Sequence, residues 1–204
     1  MTPSTSLHPS ETRDERCMTQ QPILQTQRLV LRPFNLADAP DVQRLAGVRE
    51  IAANTAHIPH PYEDGVAEVW IEQNAVSFQE GKSVAFAIVE RQSSRLCGAI
   101  GLGISIVNVH AELGYWIGKP YWGQGYCTEA ARAILEYGFA TLGLNRICSN
   151  HFARNPASGR VMEKIGMTYE GCLRQHFWKW GKFEDLKQYG ILHREWQMQQ
   201  ENRF

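Results

Sequence analysis

The sequence predicts a mixed α/β (α+β) domain, and three observations carry that prediction. Ser83 to Glu90 and Leu96 to Val107 are β-rich runs joined by a polar turn, Arg91 to Arg95, the pattern of a hairpin. Ala111 to Gly118, extended and aromatic, leads through Gly123 and Gly125 into a helical run, Tyr126 to Leu142. Met167 to Trp180 and Phe183 to Glu195 flank Gly181 and read as a long closing hairpin. No internal repeat is present.

Taken in order, Arg28 to Phe34 reads as the first strand. Asn35 then stands where a helix N-cap belongs, with Asp38 at the third helical position, so Leu36 to Val48 is expected to be helical. Glu63 to Phe78 is a second helical stretch. Gly98, Gly101 and Gly103 make the run from Leu96 pliable and favour a bulge there. His110 to Gly118 completes a three-stranded meander. Beyond the helix at Tyr126 comes an extended run, Asn145 to Phe152. A short helix follows, with Asn155 as N-cap, Pro156 as its first residue and Gly166 as its stop.

Composition sets the bounds. A chain of 204 residues fits one domain with a sizeable core. Residues 1–21 are polar, carry Ser, Thr and Pro, and lack the apolar stretch of a signal peptide. They are expected to be a disordered extension before a domain at 22–204, with Met18 an alternative start to Met1. Lys plus Arg equals Asp plus Glu at 21 each, so no net charge draws the chain to nucleic acid or anionic membrane. No apolar run approaches the ~20 residues that span a bilayer. Five cysteines without a Cys-x-x-Cys pair argue against a disulfide framework or zinc site and for a reducing, cytoplasmic setting. His57 and His60 offer only two ligands in a Pro-rich loop, so no metal is expected.

The chemistry starts at Tyr121-Trp122-Gly123-Gln124-Gly125-Tyr126-Cys127-Thr128. Strand, glycine turn and helix N-terminus together make an anion site, because the first N–H groups of a helix lack internal partners and carry partial positive charge. A dinucleotide fingerprint is excluded: Thr128 replaces the third glycine, and Leu142 to Asn150 holds no acidic residue. A P-loop sequence occurs nowhere. The short helix adds two small polar side chains near its start, Asn155 and Ser158.

These segments resemble the GNAT superfamily of N-acetyltransferases, and within it the RimJ/RimL-like group that includes ribosomal-protein N-terminal acetyltransferases. The resemblance runs from about Gln27 to Trp196. It rests on Thr26-Gln27-Arg28-Leu29-Val30-Leu31-Arg32-Pro33-Phe34, Glu112-Leu113-Gly114-Tyr115-Trp116-Ile117, the glycine turn, Asn155-Pro156-Ala157-Ser158, and Gly181-Lys182-Phe183-Glu184-Asp185. It implies a mixed, mostly antiparallel central sheet with splayed strands flanked by helices. It also implies acetyl-CoA as cosubstrate, its pyrophosphate cradled by the turn Trp122, Gly123, Gln124, Gly125, Tyr126, Cys127 and Thr128. Trp116 and Ile117 would lie along the pantetheine arm, and Asn155 would bond it from the other side.

The implied reaction is direct transfer of acetyl to a primary amine in a ternary complex. The amine must be neutral, the thioester oxygen needs a donor, and the departing thiolate needs a proton. The family's usual tyrosine acid falls at Met162, so Ser158 is the candidate acid, against a purely capping or pantetheine-binding role. A relative's glutamate base falls at Phe177, which leaves His151, Glu112 and His176 as candidates. An α-amine, pKa ~7.7–8.0, needs a committed base less than a lysine amine at ~10.4, which favours a protein N-terminus as acceptor. The alternatives are a small amine (polyamine, amino acid or antibiotic) or a catalytically weak acyl-CoA-binding module. His57, His60, Tyr62, Phe177, Trp178 and Trp180 suggest an aromatic collar round the acceptor, about half of it turned away by strand alternation, while the two tryptophans suit a core or homodimer contact equally well.

Overall fold

Side-chain alternation builds a sheet that serves two cores. In the computed structural model, which describes residues 20–201, strands β1 (Leu24–Gln25), β2 (Leu29–Arg32), β3 (Ser83–Glu90), β4 (Leu96–Ser105), β5 (His110–Ile117), β6 (Arg146–Phe152), β7 (Thr168–Lys179) and β8 (Lys182–Leu192) form one sheet. Its order is β1-β2-β3-β4-β5-β6-β8-β7. On one face Leu29, Leu31, Phe86, Ile88, Ile100 and Leu113 pack against α4 (Tyr126–Glu136) and α5 (Pro156–Lys164) through Ala130, Ile134 and Met162. On the other, Ala87, Val89 and Leu96 meet α1 (Ala39–Ala46) and α3 (Val66–Gln79) through Val42, Leu45, Ala67 and Ile71.

Each adjacent pair is antiparallel except β5 and β6. A parallel pair needs a crossover, and α4 supplies it. This parallel register extends only over His110–Glu112 with Arg146–Cys148. β5 continues to Ile117 and β6 to Phe152, so the strands part and leave a wedge. Ser149 sits at its apex, buried, its Oγ donating to the Leu113 carbonyl at 2.8 Å.

Several elements differ in detail from expectation. A 3₁₀ turn, Leu36–Asp38, precedes α1; the Asn35 N–H donates to Asp38 Oδ2 at 2.9 Å, and Arg32 clasps the same carboxylate with two bonds of 2.7 Å. The bulge near Gly98 comes from Cys97: Ile88 faces Gly98 and Val89 faces Leu96, leaving Cys97 as the extra residue. A short helix, α2 (Arg49–Asn54), lies between the two anticipated helices. The helix from Tyr126 stays α-helical to Glu136 and then widens into a π turn, Tyr137–Thr141. The last strand stops at Leu192, where the Glu195 carboxylate accepts from the Leu192 N–H at 2.9 Å and opens α6 (His193–Glu201). Phe139 stacks on His193 and Trp196, fixing α6 to the core.

Most of the expected N-terminal extension, residues 1–19, lies outside the described residues. Gln21 is already tied in, its Nε2 donating to the Ala85 carbonyl at 2.8 Å. No helix among the described residues is long and apolar enough to cross a membrane.

Candidate active site

The wedge between β5 and β6 joins two binding regions. At its outer end the chain turns through Gly123 (φ 75°) and Gly125 (φ 80°), left-handed conformations that favour glycine. Gly125 is the N-cap of α4, so the Tyr126, Cys127 and Thr128 N–H groups open the helix without intrahelical acceptors. Trp122 is half exposed, but its Nε1 donates to the Ile117 carbonyl at 2.6 Å and holds the turn against the strand. Arg28 reaches over from the residue before β2: Nη1 donates to the Gln124 carbonyl at 2.9 Å and Nε to Glu129 at 2.7 Å. A Cβ at Gly125 would stand 3.4 Å from Arg28 Nη2, so a cation borders the turn. Glu90 accepts from the Tyr126 hydroxyl and pushes its pKa up to about 12. Burial likewise raises the Cys127 thiol to about 12, so it stays a neutral, small side chain inside the helix rather than a nucleophile.

Along the wedge, alternation decides what each strand offers. Trp116 turns its carbonyl toward Gly98 of β4, which leaves Tyr115 and Ile117 with their N–H groups toward the gap. The side chains of Trp116 and Ile117 go elsewhere, Trp116 toward α1 and α3, Ile117 into the opposite core. Ile117 therefore meets the wedge with its backbone, while the Trp116 backbone is turned to β4. Across it, Asn155 occupies the N-cap position of α5, yet its side chain makes no capping bond and has no hydrogen-bond partner among the described residues. Its carboxamide is therefore available to a ligand.

Two hydroxyls bridge the wedge. Ser158 Oγ donates to the Tyr115 hydroxyl at 2.8 Å, and Tyr115 donates to the Ser158 carbonyl at 3.0 Å. Burial holds the Tyr115 phenol well above its ordinary pKa. The spacing of the chain carries no trace of this pair, because its members are brought together only by the parting of β5 and β6. Met162, at the family's tyrosine position, is fully buried in the core and takes no part.

The candidate bases fall on different faces. Glu112, exposed, projects from the last paired position of β5 toward the α3 side, where Asn150 Nδ2 donates to its Oε1 at 2.7 Å. His151 faces the α5 side and is only 5 % exposed. Its Nδ1 lies 2.8 Å from the Phe152 carbonyl and must donate, so the lone pair resides on Nε2, which is buried without a partner. Burial lowers the His151 pKa and keeps the ring neutral. A Cβ at Gly159 would stand 2.7 Å from that Nε2, so α5 can approach this closely only through glycine. His176 is exposed on β7 at the far wall.

A cavity of about 1240 Å³ runs from the wedge to the space beneath α3. Glu112, Ser158, His151 and His176 all line it, with Tyr115 and Trp116. Of the expected collar, His57, Tyr62 and Phe177 line it, Phe177 meeting His57 and Phe152 edge-on. Trp178 instead packs on Phe183 outside, and Trp180 sits beside His60 and under Arg49. The wall is braced by Lys179, 6 % exposed, whose Nζ donates to the Thr55 carbonyl at 2.7 Å. No group of three or more potential metal ligands occurs among the described residues.

Comparison with known proteins gives a consistent result. The family described as the acetyltransferase (GNAT) domain matches residues 28–168. YoaA of Bacillus subtilis, named an uncharacterized N-acetyltransferase, is 31 % identical over 181 residues, covering 84 % of this chain and 97 % of its own. The Escherichia coli ribosomal-protein-serine acetyltransferase is 28 % identical over 60 % of this chain and 68 % of its own. Spermidine N(1)-acetyltransferase of Vibrio cholerae is 27 % identical over 81 % and 93 %. A GNAT-family acetyltransferase structure from Bacillus anthracis, 27 % identical, superposes with a TM-score of 0.74 over 84 % of this chain and 99 % of that one.

Proposed function

Because the chain belongs to the GNAT acetyltransferase family and is an acetyl-CoA-dependent N-acyltransferase, we propose that its acceptor is the α-amino group of a protein N-terminus, of the ribosomal-protein kind. The glycine turn, the free helix N–H groups and the unpartnered Asn155 carboxamide fit a diphosphate followed by an amide-bearing arm. Acetyl-CoA supplies the activated acyl group. The chain's own work is then threefold. An N–H of Tyr115 or of Ile117 donates to the thioester carbonyl oxygen as it gains charge in the wedge. Ser158, on turning its hydroxyl from Tyr115 to the departing sulfur, gives that sulfur its proton. Glu112, oriented by Asn150, takes the proton of the attacking amine.

One observation carries the reading: Glu112 is exposed on the α3 side at the closed end of the wedge, while His151, which also borders the cavity, is only 5 % exposed and turned to the α5 side. Of the two, the exposed carboxylate is the more accessible to an amine approaching through the cavity. An exposed carboxylate is a modest base, adequate for an α-amine that is neutral in roughly a tenth of molecules at pH 7 and poor for lysine. The ribosomal-protein-serine relative supports the same acceptor. A second reading, a small amine, is favoured by the spermidine-acetylating relative.

The experiment is acetyl transfer by the native and Glu112→Gln proteins to N-terminal peptides, their N-blocked lysine-bearing counterparts and small amines. Free N-termini are expected to be preferred, and Glu112→Gln to lower kcat by about 10²-fold while acetyl-CoA affinity holds. Preference for lysine or for small amines would refute the acceptor; an unaltered kcat would remove Glu112 as base.

A further inference from the structure

The cavity extends past the wedge into a trough between α3 and the sheet, and its floor is made of small residues in register. Ser83, Gly103 and Glu112 form one row across β3, β4 and β5, and Ala85, Gly101 and Gly114 form the next. A Cβ at Gly103 or at Gly114 would meet nothing within 4 Å, so the space above both is open. Such room under a helix is large for a close-packed domain and is shaped for an occupant.

Charge narrows what that occupant is. No Lys or Arg lines the cavity, and its only carboxylates among the described residues are Glu112 and Asp64. Asp64 is at an exposed rim and already accepts from Gln43 Nε2 at 2.8 Å. One carboxylate therefore serves an ammonium at the wedge. Deeper in, Asn74 of α3 lines the cavity with its Nδ2 buried and unpartnered. A carboxamide satisfies a carbonyl or hydroxyl but does nothing to offset a second buried cation, which would lie against Ile58, Val66, Trp70 and Ala85. α3 packs on β3, two strands or ~10 Å across the sheet from Glu112.

We propose that this trough selects an acceptor with a single cationic amine and a neutral body bearing a hydrogen-bonding oxygen ~10 Å away, a description that a short uncharged peptide N-terminus meets and a polyamine does not. This rests on the cavity being the acceptor site. Asn74 is then a specificity determinant remote from the reacting atoms, and Gly103, opposite Glu112 in the register, is one that borders them.

The test is acetylation of trialanine amide, hexylamine and spermidine by the native, Asn74→Ala and Gly103→Val proteins, with acetyl-CoA affinity measured by calorimetry for each. The native protein is expected to use trialanine amide with kcat/KM at least tenfold above spermidine. Asn74→Ala should raise KM for trialanine amide about fivefold and leave hexylamine unaffected, since hexylamine offers no oxygen. Gly103→Val should raise KM for trialanine amide with acetyl-CoA affinity unchanged; if that variant does not fold, the Asn74→Ala comparison decides. Preference for spermidine, or an equal loss for trialanine amide and hexylamine in Asn74→Ala, overturns the proposal while leaving the acetyltransferase reading intact. Acetyl-CoA binding without transfer to any of the three overturns both.

Discussion

His151 shows how much one buried side chain decides. Its Nδ1 bond to the Phe152 carbonyl and its unpartnered Nε2 make the neutral ring part of the packing between β6 and α5. Because burial lowers its pKa from the ordinary 6.5, the unfolded chain takes up a proton first as pH falls. Stability from this group is therefore complete above pH ~6.5 and is lost as pH drops from there through the lower folded value, at no more than ~1.4 kcal/mol per pH unit. Urea melts at pH 7.5 and 5.5 should show a smaller acid loss in His151→Gln than in the native protein. Equal losses would show that the ring is not held neutral by folding. Glu112 and Ser158 belong to the same scale and differ in kind, each being half of a hydrogen-bonded pair that faces the cavity.

At the scale of elements, the corner between β6 and α5 joins the two regions proposed to hold the substrates. Arg154, next to Asn155, donates to Glu184 of β8 at 2.9 Å, to Asn54 at 2.9 Å and to the Ala53 carbonyl at 2.6 Å, and its guanidinium lies over Phe152. It thus ties the helix carrying Asn155 and Ser158 to the end of α2 and to the final hairpin, whose far ends wall the cavity. Arg154→Leu is expected to cost about 2 kcal/mol, because a nearly buried Glu184 loses its closer charged donor. The KM for the acceptor should rise more than that for acetyl-CoA, since α2 and the hairpin shift relative to the wedge. Denaturant midpoints and paired KM values check this; equal changes in both would mean the corner supports the fold alone. The sequence shows the strands and most helices of this region, but not α2 or the start of α6, where short polar runs lack a periodic signal and packing decides.

The molecule as a whole is two antiparallel sub-sheets joined at one parallel seam, and the seam is where it opens. A ligand lodged there touches both halves. Acetyl-CoA at a hundredfold its Kd should raise stability by about 2.7 kcal/mol. Hydrogen exchange should slow on both banks, at Tyr115 and Ile117 of β5 and along β6. Protection confined to the glycine turn would mean that the arm does not enter the wedge.

Local chemistry was legible in the chain itself: the glycine turn at Gly123 and Gly125, the Asn155–Gly166 helix and the meander from Ser83 follow from residue type and spacing, while the lack of a tyrosine at Met162 was read from the family resemblance. Which candidate base is exposed was not, nor that Tyr115 would partner Ser158, nor which members of the aromatic collar would point outward. Those depend on the side of a strand each residue occupies once β5 and β6 diverge, and the divergence arises from long-range pairing and crossover geometry. Sequence spacing specifies periodicity along one element; only the assembled sheet specifies what stands opposite.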